Sequence, residues 1–579
     1  MCGIVGYVGR RRAAPVIIEG LKKLEYRGYD SFGVATSCSG IEMIKRQGRI
    51  SDSGDCASEL SGFAGIGHTR WATHGVPNDV NAHPHTDCTG NIAIVHNGII
   101  ENYIELKRLL ISEGHIFLSE TDSEVVAHLV EKYYKGDLLK AVFLATEKLE
   151  GSYALLVICG SEKRIIAARK MSPLVIGVGD GEVIASSDMT PILEYARKMI
   201  FLEDGDVADV MESGIQVYNE KNPVERSPKI VEWDFESAKK GGFDHYMLKE
   251  IFEQPDVFYK SFSSEIDEGS MLDLKKASCV TVVACGTSWH AGMIFRYLME
   301  KYCKIPVRVE IASEFSNFTP LHDSVMVAVT QSGETADTLA ALKSAKKENF
   351  TTFAITNVPG SSVTRIADHV LYTCAGPEIS VAATKSFTAQ VAVLMKIVSC
   401  LSENFIEKEL LGIHPLIEEA LLFDAQPAAE ICRSANSLFF VGRGVYYPVS
   451  LEGALKMKEI TYIHAEGYPA GELKHGPFSL LCGETPVIAI CTGDDSYPVM
   501  MSNIKEIKAR GAPVIGIGSA GDIDLEEICD IYIPLPKSSG ICEIVTASVI
   551  LQELAYKTAV LLGRDVDKPR NLAKSVTVI

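Results

Sequence analysis

The chain has 579 residues, 47% hydrophobic and 23% charged, which fits a globular protein of three or so domains of about 100–200 residues each. Its net charge of −19 and pI near 5.3 argue against nucleic acid and anionic membranes as partners, since both require a basic surface, but leave small anionic ligands in a local site open. Fifteen cysteines without a C-x-x-C pair read as reduced thiols of a cytoplasmic protein, and no leader pattern or run of about 18 apolar residues predicts export or a membrane span.

The chain opens on Met1-Cys2-Gly3. Removal of Met1 would give Cys2 a free α-amine beside its thiol, so one residue would hold both nucleophile and base. The apolar run 4–8 reads as a buried strand that holds this terminus still. Further strands are predicted over 33–37, 65–69, 92–96, 153–159, 165–169 and 174–179, with helices over 14–24, 103–113 and 123–135. Closely spaced strands with few helices suggest sheet packed on sheet with helices outside. Turn formers between 212 and 244 read as a linker, followed by a helix over 245–253.

From about 279 the rhythm becomes strand, loop, helix. Strands over 279–284, 325–329 and 352–355 are matched by a second set over 437–441, 486–491 and 513–516. This reads as an internal duplication, two parallel-sheet domains in tandem, joined by helical sequence between 405 and 432. The predicted boundaries are 2–212, a linker and leading helix over 213–262, repeats over 263–410 and 411–563, and a tail over 564–579.

Acyl chemistry at Cys2 needs an oxyanion hole and a substrate clamp. Asn97-Gly98, at the end of a strand, supplies an amide and a backbone N–H for an oxyanion. Arg70 suits a carboxylate, and Asp122 suits an ammonium or else caps the helix that follows. His68, His74, His83 and His85 lack the spacing and partners of a metal motif, so no metal is expected.

In the second half, the hydroxyl-rich turns Gly286-Thr287-Ser288 and Thr330-Gln331-Ser332-Gly333-Glu334-Thr335 each join a strand to a helix, a design that binds phosphate or else caps the helix. Neither is a nucleotide P-loop, and Gly516-Ile517-Gly518-Ser519-Ala520-Gly521 lacks the context of a dinucleotide fingerprint. Glu452, Lys456 and Glu459 share one helical face, either a solvated ladder or a catalytic group. His475, in a Gly/Pro-bounded loop, suits proton transfer near neutral pH.

Cys2-Gly3-Ile4-Val5-Gly6, Glu25-Tyr26-Arg27-Gly28-Tyr29-Asp30-Ser31, the run from His68 to Gly75, Asn81-Ala82-His83-Pro84-His85 and His96-Asn97-Gly98 resemble the N-terminal-nucleophile glutamine amidotransferases. The tandem repeats resemble sugar-isomerase domains, and with the closing Asn571-Leu572-Ala573-Lys574-Ser575-Val576-Thr577-Val578 the likeness extends to the glutamine–fructose-6-phosphate aminotransferases. The resemblance implies an N-terminal αββα sandwich followed by two αβα sugar-isomerase domains in a multidomain α/β chain. It implies that Cys2 attacks the glutamine amide, that Asn97 and Gly98 form the oxyanion hole, and that Arg70, Asp122, Trp71 and His74 serve the glutamine, Trp71 gating the ammonia path. Gly286, Thr287, Ser288, Thr330, Gln331, Ser332 and Thr335 would hold the sugar phosphate. His475 would assist ring opening, Lys574 form a Schiff base, and Glu459, supported by Lys456, carry a proton from C1 to C2. It further implies a homodimer acting on L-glutamine and D-fructose 6-phosphate without a cofactor. Thr330 stands where many relatives carry Ser, and both offer a hydroxyl.

Overall fold

The computed structural model describes residues 2–52, 54, 59–71, 74–230, 240–317, 324–403 and 405–577. It divides into two compact units, Met1–Ala238 with Ala573–Ile579, and Lys239–Leu572. Met1, Ala72, Thr73, linker positions 231–239 and the last two residues of the tail lie outside the described residues.

The first unit is built from β1 (Gly3–Gly9), α1 (Ala13–Leu24), β2 (Ser31–Ser37), β3 (Ile41–Gln47), β4 (Ala64–Arg70), β5 (His85–Thr86), β6 (Ile92–Ile100), α2 (Tyr103–Ser112), α3 (Glu124–Tyr133), α4 (Leu138–Thr146), β7 (Gly151–Cys159), β8 (Ile165–Lys170), β9 (Val175–Val178), β10 (Glu182–Ser186), β11 (Lys198–Phe201), β12 (Asp206–Met211), β13 (Gly214–Asn219), β14 (Asn222–Val224) and β15 (Lys229–Ile230). They form an eight-stranded sheet, β15-β11-β9-β10-β1-β4-β2-β3, and a seven-stranded sheet, β14-β13-β12-β8-β7-β6-β5. The alternation along β6 shows how they pack. Ala93 and Val95 join Ile4, Val8, Ile66 and Leu156 between the sheets, while Ile92 and Ile94 turn outward to the helix layer that includes Val126, Leu129 and Val142. The layers are therefore helix, sheet, sheet, helix.

The stretch read as a linker begins later than expected. β13 pairs with β12, β14 with β13, and β15 with β11, so the sheets continue to Ile230. The turn formers at 219–222 close a hairpin within the sheet, because Asn219 pairs directly with Asn222.

The second unit contains α5 (Tyr246–Phe252), α6 (Gln254–Phe262), α7 (Glu268–Lys276), β16 (Cys279–Ala284), α8 (Thr287–Leu298), β17 (Val307–Ile311), β18 (Ser324–Thr330), α9 (Ala336–Lys347), β19 (Thr351–Thr356), α10 (Ser362–Ile366), β20 (His369–Tyr372), α11 (Lys385–Leu401), α12 (Glu407–Leu411), α13 (His414–Leu421) and α14 (Gln426–Arg433). It continues with β21 (Ser437–Gly442), α15 (Tyr446–Thr461), β22 (His464–Pro469), β23 (Val487–Ile490), α16 (Tyr497–Lys508), β24 (Val514–Ser519), α17 (Ile523–Ile528), β25 (Ile531–Leu535) and α18 (Gly540–Leu561). Its two five-stranded sheets, β17-β16-β18-β19-β20 and β22-β21-β23-β24-β25, are parallel and have the same strand order, the structural counterpart of the duplication. In each, the order reverses beside the first strand, which opens a crevice at the carboxyl ends of the strands. The G-x-G-x-x-G run serves packing. A Cβ on Gly516 would meet Cys529 Sγ at 2.4 Å, and one on Gly518 would meet Leu525 Cδ2 at 2.3 Å.

Helix α18 is long and apolar enough, by length and composition, to cross a membrane, but 83% of its apolar window is buried inside the protein. It packs against α13, α14 and α15 as the central helix of this unit. The start of the tail is also fixed. The Asp567 carboxylate accepts hydrogen bonds from Tyr246 N (3.0 Å) and Met247 N (2.9 Å), satisfying the free N–H groups at the start of α5 from a position 320 residues away. Leu551, 1% exposed on α18, contrasts with Val560, 42% exposed on the same helix. Leu551→Ala is expected to destabilise the second unit by about 2–5 kcal/mol through loss of packing, and Val560→Ala by no more than about 0.5 kcal/mol, both read from urea unfolding.

Candidate functional site

Cys2 stands at the entry of β1, which pairs with β4 on one side and β10 on the other, so it starts a strand in mid-sheet. Ser187 N and Ser186 Oγ both donate to Ile4 O, and Ile4 N donates to Ser187 Oγ, which holds the backbone just behind the thiol. Trp71 N donates to Cys2 Sγ at 3.2 Å. From the facing sheet, Asn97 Nδ2 donates to Cys2 O at 3.0 Å. Burial pushes the Cys2 thiol above its usual range, opposed by the Trp71 N–H and the cations of Arg70 and Arg27. A protonated resting thiol needs a base to become the nucleophile.

The Asn97 amide is oriented by a residue that the sequence reading left without a role. His68 Nε2 lies 3.1 Å from both Asn97 Oδ1 and His96 O, two acceptors, so Nε2 carries the proton and donates. That fixes the Asn97 NH₂ toward Cys2, with one N–H spent on Cys2 O and a second available to an oxyanion. The signal for His68 was its position two residues before Arg70, on the same face of β4. Gly98 beside it has φ +131°, and a Cβ there would sit 2.0 Å from Ser152 O, so only glycine fits.

Arg70 is 3% exposed, which excludes a surface ion pair. Its Nη2 donates to the carbonyls of His74 and Gly75, while Nη1, equally buried, makes no hydrogen bond among the described residues. His74 thus orients Arg70 through its backbone, and its ring packs edge-on against Tyr103 at 5.6 Å. Asp122 is not a helix cap. The N-cap of α3 is Ser123, and Asp122 Oδ2 instead accepts from Ile100 N at 2.8 Å. Burial pushes Arg70 down, and the charges of Cys2, Asp30 and Asp122 pull it back up, which places all three within electrostatic reach of the guanidinium. Trp71 meets Tyr29 edge-on at 5.7 Å.

His68, His83 and His85 pack ring against ring, His68 tilted on His83 with centroids 4.2 Å apart and His83 edge-on to His85 at 4.5 Å. Burial pushes His68 down to about 3, and His83 and His85 well below the usual histidine range. The unfolded chain therefore binds protons that the folded unit refuses. Stability contributed by His68 is complete above about pH 6.5 and falls by about 1.4 kcal/mol per pH unit as pH drops toward about 3. His68→Gln is expected to shrink the slope of unfolding free energy against pH by about one proton in that window.

In the second unit, the turns after β16 and β18 flank the crevice where the strand order reverses. Gly286 precedes α8, and Ser288 is buried in its first turn. In the longer turn, Thr335 is the N-cap of α9 but makes no capping bond. Its hydroxyl meets Thr330 Oγ1 at 3.1 Å, and Gly333 N donates to Thr330 Oγ1 at 3.2 Å. Glu334 N donates to Ser332 Oγ, and Gln331 O accepts from Asn357 N and Thr356 Oγ1. Gly333 has φ +67°, and a Cβ there would meet Ser361 Oγ at 2.1 Å, so the turn closes only on glycine.

The acidic-basic face of α15 is not a solvated ladder, since Glu452 and Lys456 are each 1% exposed. Lys456 Nζ lies 2.5 Å from Glu459 Oε2, 3.5 Å from Glu452 Oε1 and 3.1 Å from Thr287 Oγ1. Glu452 in turn accepts from Thr287 Oγ1 (3.1 Å) and pairs with His290 Nδ1 (2.7 Å). Burial pulls Lys456 down, but Glu452 and Glu459 overcome it and hold the ammonium up at about 12. Lys456 is thus a fixed cation beside Glu459. Thr287 joins the loop after β16 to α15, a link between the two repeats that spacing did not reveal.

His475 ends a short 3₁₀ turn, is exposed, and makes no hydrogen bond or ion pair among the described residues. Lys574 is half-buried in the closing segment that groups with the first unit.

A thiol at the start of an inner strand of a two-sheet sandwich, joined in one chain to a duplicated parallel-sheet half, fits an amidotransferase coupled to sugar-isomerase-type domains. Family profiles agree. The glutamine amidotransferase domain matches residues 68–194, and the SIS domain matches 273–399 and 431–562. Over the full length of both chains, the sequence is 44% identical to the glutamine–fructose-6-phosphate aminotransferase (isomerizing) of Thermus thermophilus and 46% identical to that of Pyrococcus horikoshii. The C-terminal domain of glucosamine-fructose-6-phosphate aminotransferase from Francisella tularensis superimposes with a TM-score of 0.54 at 38% identity, covering 57% of this chain and 100% of that one. The chain belongs to the glutamine–fructose-6-phosphate aminotransferase (isomerizing) family.

The buried charges of α15 give a further test. Glu452→Ala leaves Lys456 and His290 without that carboxylate and is expected to cost about 3–5 kcal/mol in urea unfolding of the second unit.

Proposed function

We propose that this chain transfers the amide nitrogen of L-glutamine to D-fructose 6-phosphate, giving L-glutamate and D-glucosamine 6-phosphate. The observation that carries it is the Cys2 site, where a thiol, an oriented Asn97 amide and the unspent Arg70 Nη1 converge in the first unit. With Met1 removed, the α-amine of Cys2 takes the thiol proton, and the thiolate attacks the glutamine side-chain carbonyl. The oxyanion rests on Asn97 and the Gly98 N–H, Arg70 holds the carboxylate and Asp122 the ammonium. Collapse breaks the C–N bond and releases ammonia, with its extra proton returned from the α-ammonium. Water then cleaves the thioester to glutamate.

In the second half, the turns at 286–288 and 330–335 hold the sugar phosphate at two helix N-termini. His475 assists ring opening, Lys574 forms a Schiff base at the ketose carbonyl, and ammonia displaces Lys574. Glu459, with Lys456 beside it, moves a proton from C1 to C2 and completes the isomerisation.

Incubation with glutamine and fructose 6-phosphate is expected to yield glucosamine 6-phosphate, identified by mass and chromatography. Cys2→Ala is expected to abolish glutamine-driven product while leaving product formation from added ammonia. Asn97→Ala is expected to lower glutamine hydrolysis about 10²–10³-fold. Unchanged glutamine-driven turnover in Cys2→Ala would overturn the reading.

A further inference from the structure

Away from Cys2, three segments of the first unit bring four potential metal ligands together. They are Cys88, in the turn between β5 and β6; His115, after α2; and His128 and Glu131, on α3. The ligand atoms of all four lie within 4.8 Å of one another. Cys88 Sγ is 3.7 Å from His115 Nδ1 and 3.5 Å from His128 Nδ1, and Glu131 Oε2 is 2.9 Å from His115 Nδ1 and 3.3 Å from His128 Nδ1. A tetrahedron with metal–nitrogen and metal–oxygen bonds of about 2.0–2.2 Å and a metal–sulfur bond of about 2.3 Å has edges of about 3.3–3.7 Å. Three of the four measured separations fall in that range, and the fourth, Glu131 Oε2 to His115 Nδ1 at 2.9 Å, is shorter.

We propose that Cys88, His115, His128 and Glu131 form a four-ligand site for a divalent transition-metal ion of the zinc class.

Hydrogen bonding alone satisfies the cluster poorly. Each imidazole Nδ1 faces both the thiol and the carboxylate oxygen, and one proton serves only one of them. Glu131 Oε2 also already accepts from Cys88 N at 3.2 Å. A central cation uses all four lone pairs at once, and on binding Cys88 gives up its thiol proton to solvent. The surroundings suit this. Ile116 N donates to Cys88 Sγ at 3.4 Å, supporting a thiolate, and the other nitrogen of His128, a side chain 1% exposed, faces Glu124 Oε1 at 3.6 Å. His128 and Glu131 are three residues apart on one helical face, a spacing that presents two ligands to one point.

The donor set of one sulfur, two nitrogens and one oxygen points to zinc rather than calcium or magnesium, which take oxygen. Four protein ligands leave no open position for water, so the ion is structural. It ties the turn at Cys88 and the turn at His115 to α3, the helix that follows Asp122. This site is separate from the packed histidines His68, His83 and His85, and it revises the expectation of a chain without metal.

The test uses full-length protein carrying Cys2→Ala, so that the nucleophile thiol gives no signal, stripped with chelator and titrated with Co²⁺ alone. The expected result is one Co²⁺ per chain, with a thiolate-to-cobalt charge-transfer band and the strong visible bands of tetrahedral cobalt, both erased by added Zn²⁺. Cys88→Ser removes the charge-transfer band. His128→Asn weakens binding by more than ~100-fold, since loss of an outer-shell partner alone costs about 10–100-fold. Circular dichroism checks folding, and Glu131→Gln, which keeps the thiol and both imidazoles, serves as a second variant if Cys88→Ser fails to fold. Absence of stoichiometric binding to the folded chain overturns the proposal. So does a charge-transfer band that survives Cys88→Ser, or an affinity unaltered in Glu131→Gln.

Discussion

The first unit depends on β1 being hydrogen-bonded along both edges. A chain terminus ordinarily frays, but here it lies between β4 and β10 in mid-sheet, with Ile4 tied by Ser186 and Ser187. Gly3 makes this possible, because a Cβ there would sit 2.7 Å from Leu24 Cβ and from Thr69 Oγ1. The close approach brings β4 near enough for Trp71 N to reach the thiol, and the facing sheet near enough for Asn97 to reach Cys2 O. Cys2, the Asn97 amide and the guanidinium of Arg70 are therefore positioned by strands rather than by loops, the kind of rigid arrangement that preorganised stabilisation of charge requires.

The second unit rests on a different constraint, a set of buried charges that must remain together. Lys456 is held between Glu452 and Glu459, and Glu452 is shared with Thr287 and His290 of the other repeat. Removing the Glu452 carboxylate takes a partner from both Lys456 and His290 in a dry place, so the repeats are held together by electrostatics as well as by packing. A lysine held ionised by two carboxylates is a poor base, so Lys456 stands there as a cation beside Glu459.

Much of this was legible in the sequence. Strand periodicity placed β1, β4, β6 and β7 and, in the two repeats, β16, β18, β19, β21, β23 and β24, because apolar runs bounded by glycine and hydroxyl residues leave little ambiguity. Several of the elements missed were amphipathic or short. β3 is exposed along much of its length, and β13 to β15 carry the turn residues that made 212–244 look like a linker. Cys2, Arg70, Asn97 and Lys456 were visible from residue type and motif. His68 and His290 were not, and neither were the bonds of Thr287 to Glu452 and Lys456, because they come from cross-strand register and from the contact between α8 and α15, which no local pattern encodes. Cys88, His115 and His128 escaped for the same reason, since 27 and 40 residues separate the cysteine from the two histidines.

The most direct measurement follows one nitrogen atom. Glutamine labelled with heavy nitrogen at its side-chain amide is incubated with the full-length chain and fructose 6-phosphate in buffer containing unlabelled ammonium, and the amino-sugar phosphate is analysed by mass spectrometry. Retention of the heavy nitrogen in the product amine, with little dilution by the ammonium in solution, is the result predicted by a chain that releases ammonia at Cys2 and consumes it at the sugar. An amino sugar bearing only unlabelled nitrogen, or glutamate formed with no amino sugar at all, would contradict it.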